Sequence, residues 1–466
     1  MRLRGFVVSS ALLLTSSLYA QDAALHWPRW RGPLETGEAP GATPPTEFSL
    51  EKNLAWSTVI PGSGHATPIV IGERMYLLTA VPLPPKEGEK PAAEAPAPPA
   101  EEPRGEGRGE RGGRGGRGGR GGGRGERAPL VEHEFRVVAV ERANGKIAWN
   151  TLVRTAKPHE GVHQTGSYAA ASPVTDGKRL YASFGSFGVH ALDLGGKLLW
   201  SKDLGPMTIR GEFGEGASPN LHDGILVVPH DHEGESFVVA LKAESGEELW
   251  RKSRSEKSNW STPLIREVGG RAQAILAGAT RSIAYDLKTG EELWHTTGMT
   301  QNVVPAPMCV DGIVYLISGF RGAALQAIAL AEAKGDATAS PALKWSYDKG
   351  TPYVPSATLV NGRLYFFKNN TGLLSCLDAK TGTPHYAEER LEGISSVYAS
   401  PLAAGGKIYL ASREGNIVVL KDGPQLEVLA QNELGDAFDA SPIAVGPYLY
   451  LRGHAKLYCF AEQGAR

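Results

Sequence analysis

Short runs rich in β-branched and aromatic residues, such as Arg179-Leu180-Tyr181-Ala182-Ser183 and Gly224-Ile225-Leu226-Val227-Val228, recur along the chain between Asp-Gly, Asn-Gly or Gly-Gly pairs. Runs of this kind predict strands joined by tight hairpins. Lys288-Thr289-Gly290 and Lys380-Thr381-Gly382 put glycine where a reversal needs positive φ. The runs belong to a longer pattern, fullest in Ala171-Ser172-Pro173, Asp176-Gly177, Leu180-Tyr181, Ala191-Leu192-Asp193, Gly196 and Trp200. Copies start at Pro68, Pro173, Pro219, Pro263, Pro307, Ala357, Pro401 and Pro442, and after the first gap the steps run from 41 to 50 residues. That is the length of a four-stranded propeller blade. A small-residue slot holds Ala139, Ala191, Ala240, Ala284, Ala327, Cys376, Val419 and Cys459. Trp149, Trp200, Trp250, Trp294 and Trp345 close five copies, Tyr386 stands there in the sixth, and only Val428 lies near that place in the seventh.

Each copy is a small antiparallel sheet that cannot bury both faces alone, so copies must stack, and a ring lets the first cover the last. The eighth copy, from Phe438 through Tyr458-Cys459-Phe460, lacks a closing Trp, whereas Asn53-Leu54-Ala55-Trp56-Ser57-Thr58-Val59 is a strand-like run with no copy of its own. Placing this N-terminal strand in the last blade closes the ring and hides its edges. The predicted fold is all-β, an eight-bladed β-propeller of four-stranded antiparallel blades, with seven blades as the rival count.

Composition divides the remainder. Residues 1–20 have the charged, apolar and cleavage regions of a secretory leader, with Ala11-Leu12-Leu13-Leu14 too short and Ser-rich for a membrane span. Residues 21–52 form an N-terminal extension, and 53–81 with 131–462 form the propeller. Residues 82–130 interrupt blade one, first with Pro, Ala and Glu and then with a Gly-Arg tract. Neither half can bury apolar area, so disorder is expected. From Arg104 to Arg127 the tract carries 8 Arg against 3 Glu, but it has no interleaved aromatics to stack on bases. The formal net charge of −1 gives no bias toward nucleic acid or acidic membranes. No Cys follows the leader, so no lipid anchor is expected, and the reading is a soluble monomer in the periplasm or outside the cell. Three distant cysteines, two in the small-residue slot, fit packing better than redox chemistry.

The spacing Ala284-Tyr285-Asp286-Leu287-Lys288-Thr289-Gly290-Glu291-Glu292-Leu293-Trp294 resembles the repeat of pyrroloquinoline-quinone-type propellers. Trp27-Pro28-Arg29-Trp30-Arg31-Gly32-Pro33 and Gly350-Thr351-Pro352-Tyr353-Val354-Pro355-Ser356 resemble secreted bacterial propellers of the outer-membrane-assembly-factor (BamB-like) group. That group implies a fold and protein partners in the cell envelope. The quinone enzymes imply pyrroloquinoline quinone, calcium, an Asp base and adjacent cysteines. This chain has no Cys-Cys pair and no haem-attachment Cys-x-x-Cys-His, and no Asp is assigned to base duty.

His159-Glu160-Gly161-Val162-His163 matches a zinc-protease pattern by letters, but that chemistry needs a helix. Pro158, Gly161 and Gly166 argue against one, and the segment reads as a loop at the propeller mouth, where the assembly-factor-like group shows a similar His pair. His230-Asp231-His232-Glu233 reads as a solvated hairpin, because neighbours on a strand point apart. Residues just before the Ser/Thr-Pro starts should line one mouth: His65, Tyr168, Trp260, Tyr353, Tyr398 and Phe438. Packing at blade seams is the competing reading for these aromatics. Arg281, Arg413 and Arg452, from comparable places in their blades, would add positive charge. No metal site is expected. The expected function is a non-catalytic protein-binding scaffold in the envelope. A quinoprotein oxidoreductase, or capture of a polysaccharide or small ligand in the aromatic mouth, are the alternatives.

Overall fold

A computed structural model describes residues 24–85 and 130–464. The leader and most of the insertion lie outside the described residues. Eight sheets make up the ring, and in the first seven the four main strands run in chain order from the inner to the outer edge. Blade 1 comprises Ile69–Ile71, Arg74–Pro82, His133–Glu141 and Ile147–Ala156. Blade 8 takes Ile443–Val445, Tyr448–Arg452 and Leu457–Phe460 from the end of the chain and Leu54–Thr58 from its beginning, with Trp56 opposite Cys459. Two short parallel additions extend other blades: Glu38–Ala39 on blade 7 and Gly335–Asp336 on blade 4.

The repeat is a set of staples between blades. The indole Nε1 of Trp149 donates to Leu194 O of the next blade at 3.2 Å, Trp200 to Ala243 O at 3.0 Å, and Trp250 to Leu287 O at 2.9 Å. Trp345 reaches Ala379 O, and Trp56 carries the same bond from blade 8 to Arg142 O of blade 1 at 2.7 Å. Trp294 departs from the pattern and bonds Gln273 of its own blade. Each stapling indole lies over the turn glycine of the next blade; Gly290 and Gly382, at φ 68° and 72°, have no room for a Cβ beside Trp250 and Trp345. The small-residue slot sits opposite the closing aromatic, as in Ala240 with Trp250 and Cys376 with Tyr386. A larger side chain there would meet the ring. Cys376 and Cys459 are fully buried free thiols, and burial pushes both up to about 12.

The Ser/Thr-Pro starts also have a physical reason. The backbone N–H of Ser356 donates to Ser400 Oγ, that of Ser400 to Ser441 Oγ, and that of Ser441 across the closure to Thr67 Oγ1, at 2.9–3.0 Å. Ser172, Ser218 and Thr262 repeat this on the other side. The hydroxyls form a belt that satisfies buried amides around the axis.

The N-terminal extension crosses the ring. Trp27 pairs with Val70 of blade 1, Pro28 O accepts from Thr175 of blade 2, and Arg29 donates to Asn220 of blade 3. Arg31 donates to Ala357 O and Pro401 O of blades 6 and 7, Glu35 meets Arg266 of blade 4, and Thr43 reaches Gly446 of blade 8. Arg31 is buried, and desolvation lowers it to about 9. Up-and-down strand order puts the first-to-second and third-to-fourth turns on one face. The segment 27–43 covers that end of the axis. Blade-to-blade connections and second-to-third turns share the opposite face, which holds the mouth.

Candidate functional site at the propeller mouth

Mouth residues follow the alternation of an extended backbone. Three positions before each Pro or Ala start stand His65, Ala170, Gly216, Trp260, Val304, Val354, Tyr398 and Asp439, and all but Asp439 are partly exposed. One position earlier the chain turns inward in five of the eight connections, where Ala169, Asn259, Val303, Val397 and Phe438 are buried, while Gly64, Glu215 and Tyr353 stay partly exposed. Phe438 is therefore corrected to a core residue, packed against Tyr458. Its neighbour Asp439 is the mouth residue, which a strict count from Ser441-Pro442 would have found.

Around Asp439 several side chains converge from both sides of the ring closure. Arg413 Nε donates to Asp439 Oδ1 at 2.8 Å, and its guanidinium lies 4.7 Å from the Tyr398 ring. His454 Nε2 is 2.8 Å and His65 Nδ1 3.7 Å from Asp439 Oδ2. The two imidazoles stack with centroids 4.9 Å apart. Burial pushes His65 down to about 4, against the pull of Asp439. Burial opposes the charge on Asp439, yet His454, His65 and Arg413 together hold its carboxyl below the usual range. Arg452 is not in the mouth: it is buried, donates to Ala66 O and Leu78 O at 2.8 Å, and falls to about 9 by desolvation. Arg281 turns outward to Glu292 on the outer strand of blade 4.

Opposite lies a pocket between blades 2, 3 and 4, open to the mouth and lined by His159, Glu160, Glu215, Asp231, Asn259 and Trp260 among others. Glu215 accepts hydrogen bonds from Ser186 N at 2.6 Å and from its hydroxyl; burial nonetheless raises the carboxyl to about 7. Burial also raises Glu160, against the bond it accepts from Ile209 N at 2.9 Å. His159 Nε2 lies 2.7 Å from Met207 O, and His163 Nδ1 lies 2.8 Å from Thr165 Oγ1. The loop has no helix, and its two histidines go to separate partners.

His230-Asp231-His232-Glu233 is corrected from a solvated turn: His230, Asp231 and His232 are 2%, 4% and 8% exposed. Asp231 is clamped by Arg254 Nε at 2.8 Å and Asn259 Nδ2 at 2.9 Å, and Phe237 stacks on His230. Loops from the neighbouring blades cover this hairpin, with Thr208 N donating to His232 Nδ1.

The loop 157–168 ties the two halves together, since Thr165 Oγ1 donates to Tyr398 OH at 3.4 Å and Tyr168 OH to Glu160 O at 3.0 Å. Tyr353 packs on Phe320 at 4.7 Å. Phe213, 40% exposed, adds an aromatic between His163 and Trp260. The sequence signal for Phe213 was an aromatic set between Gly211 and Gly214 in a blade-to-blade connection.

Fold, repeat and mouth together define the class, a propeller of pyrroloquinoline-quinone-type repeats. A family model described as outer membrane protein assembly factor BamB matches residues 123–217 and 234–464, well over half of the chain. The chain belongs to that family. BamB of Yersinia pestis is 24% identical over 235 residues, covering 46% of this chain and 56% of the relative. The chain spans little more than half the length of the curated relatives it matches. Among solved structures, BamB from Moraxella catarrhalis aligns with TM-score 0.51 at 15% identity, over 71% of this chain and 92% of that one. A europium-containing methanol dehydrogenase aligns with TM-score 0.61 at 11% identity, over 96% and 100%. At these identities the structural likeness is one of fold alone.

Proposed function

We propose that the chain is an exported, non-catalytic scaffold of the bacterial envelope, acting as a periplasmic or secreted monomer that binds protein partners through its mouth and rim. The observation that carries this reading is the commitment of the mouth's polar groups to the ring itself. Glu215, Glu160, Asp231 and Asp439 each accept bonds from protein donors. Calcium would need six to eight oxygen ligands, and no adjacent cysteines are present. Carboxylates already bonded to the ring and the lack of a cysteine pair favour the cofactor-free reading over a quinone with its calcium. What remains exposed is a rigid surface with Phe213, Trp260, Tyr398 and Arg413, residue types that anchor protein interfaces. Among the described residues no helix is long and apolar enough to cross a membrane.

The test places a photo-crosslinking residue at Phe213 or Tyr398 and irradiates intact envelopes. A discrete outer-membrane protein adduct, absent when the probe sits on the opposite face at Asp223, is expected. Recovery of the uncrosslinked chain alone from both positions would sink the scaffold reading. In parallel, protein mixed with pyrroloquinoline quinone and calcium is expected to show no bound-cofactor absorbance and no dye reduction with alcohols.

A further inference from the structure

His65, Asp439 and His454 meet where the ring closes, one from the connection into blade 1 and two from blade 8. Their ligand atoms all lie within 4.8 Å of one another. We propose that these three side chains form a binding site for a divalent transition metal of the zinc type. Two imidazoles and one carboxylate are donors that zinc and its neighbours in the first row accept, and three protein ligands leave a fourth position open.

The spacing is near what coordination requires. Ligand atoms at about 2.0–2.1 Å from a tetrahedral ion lie about 3.3 Å apart. The two distances to Asp439 Oδ2, 2.8 Å from His454 Nε2 and 3.7 Å from His65 Nδ1, fall on either side of that value. An ion between them replaces the contact between His454 Nε2 and Asp439 Oδ2, and asks only for a turn of the His454 side chain, which is exposed at the mouth. The other two ligands are held. Asp439 is 3% exposed at its side chain, with Oδ1 fixed by Arg413 and Oδ2 left to the imidazoles. The backbone N–H of His65 is fixed by Ser167 Oγ at 3.0 Å. Hydrogen bonds that orient a ligating carboxylate in this way are a recurrent part of metal sites. Arg413 on Asp439 and the charge of Arg452 buried behind His65 oppose a cation, which favours an ion held through imidazole lone pairs over a hard ion such as calcium.

The experiment titrates untagged full-length protein with Co(II) and then Zn(II), following the cobalt d–d bands and heat of binding. One Co(II) per chain, displaced by Zn(II), is expected, with affinity at least tenfold weaker in His454→Ala and in Asp439→Asn and unchanged in His159→Ala. Because His454 is a surface residue, its variant keeps the fold, checked by an unaltered circular dichroism spectrum. Absence of stoichiometric binding by the wild type at 100-fold excess metal overturns the proposal, as does equal binding by His454→Ala. Either result leaves the trio a hydrogen-bonded seam only, and neither bears on partner binding by the rim.

Discussion

Replacing Glu215 by Gln should remove from the protein's pH profile a loss of stability that grows between pH 5 and 8. The carboxyl is held at about 7 against an ordinary 4.5, so between those values the unfolded chain releases a proton that the folded chain keeps. Folding is then progressively disfavoured as pH rises through this window, and the penalty levels off once the folded carboxyl also ionises. At ~1.4 kcal/mol per pH unit, the two pKa values give a loss of about 2.5 kcal/mol between pH 5 and pH 8. With roughly 400 ordered residues and about 2.1 cal/mol/K of unfolding entropy per residue, that corresponds to about 3 °C in Tm. Glutamine keeps an oxygen to accept from Ser186 and carries no charge at any pH. Burial pushes His65 and His190 to about 4 and His230 to about 3. Their contribution is present above the ordinary 6.5 and lost as pH falls through the folded values, equally in both proteins. The assay is differential scanning fluorimetry of wild type and Glu215→Gln at pH 5, 6, 7 and 8. The variant should gain about 3 °C on the wild type from the lowest to the highest pH. Parallel curves would refute the reasoning, because Glu215 would then be an ordinary ionised carboxylate.

Two further predictions concern the repeat. Trp250→Ala should cost about 3–5 kcal/mol by opening a cavity at the seam of blades 3 and 4. Trp250→Phe, which keeps the packing and loses the bond to Leu287 O, should retain most of that stability; chemical denaturation distinguishes the two. Cys376→Ala and Cys459→Ala should change stability by less than about 1.5 kcal/mol, since alanine fills the same slot in other blades. In the native protein both thiols should resist a disulfide reagent that titrates all three cysteines after denaturation.

The parts of the fold that were legible are those that repeat. The Trp, the small residue and the turn glycine are one staple used at most of the blade junctions, so their spacing appears several times over in one chain. The mouth was half legible, since a count from Pro finds the right connections, but a slip of one residue exchanges Asp439 for Phe438 because neighbouring side chains face opposite ways. His65 and Asp439 hold equivalent positions in adjacent blades and become visible as a pair only once the ring is closed. The burial of Asp231 was hidden because its partners, Arg254 and Asn259, lie on the next connection and follow no period. The crossing of segment 27–43 was unreadable for the same reason: Arg31 finds its carbonyls more than 300 residues away.

The pairing of Leu54–Thr58 with Leu457–Phe460 also sets an order of events during biosynthesis. The first of these strands emerges about 400 residues before its partner, and bringing segments that far apart together carries a closure cost on the order of 5 kcal/mol. Until then the edges of blades 1 and 8 stand bare and sticky. The ring stays open until both strands are in place, which makes Leu457–Phe460 as indispensable as any residues in the core.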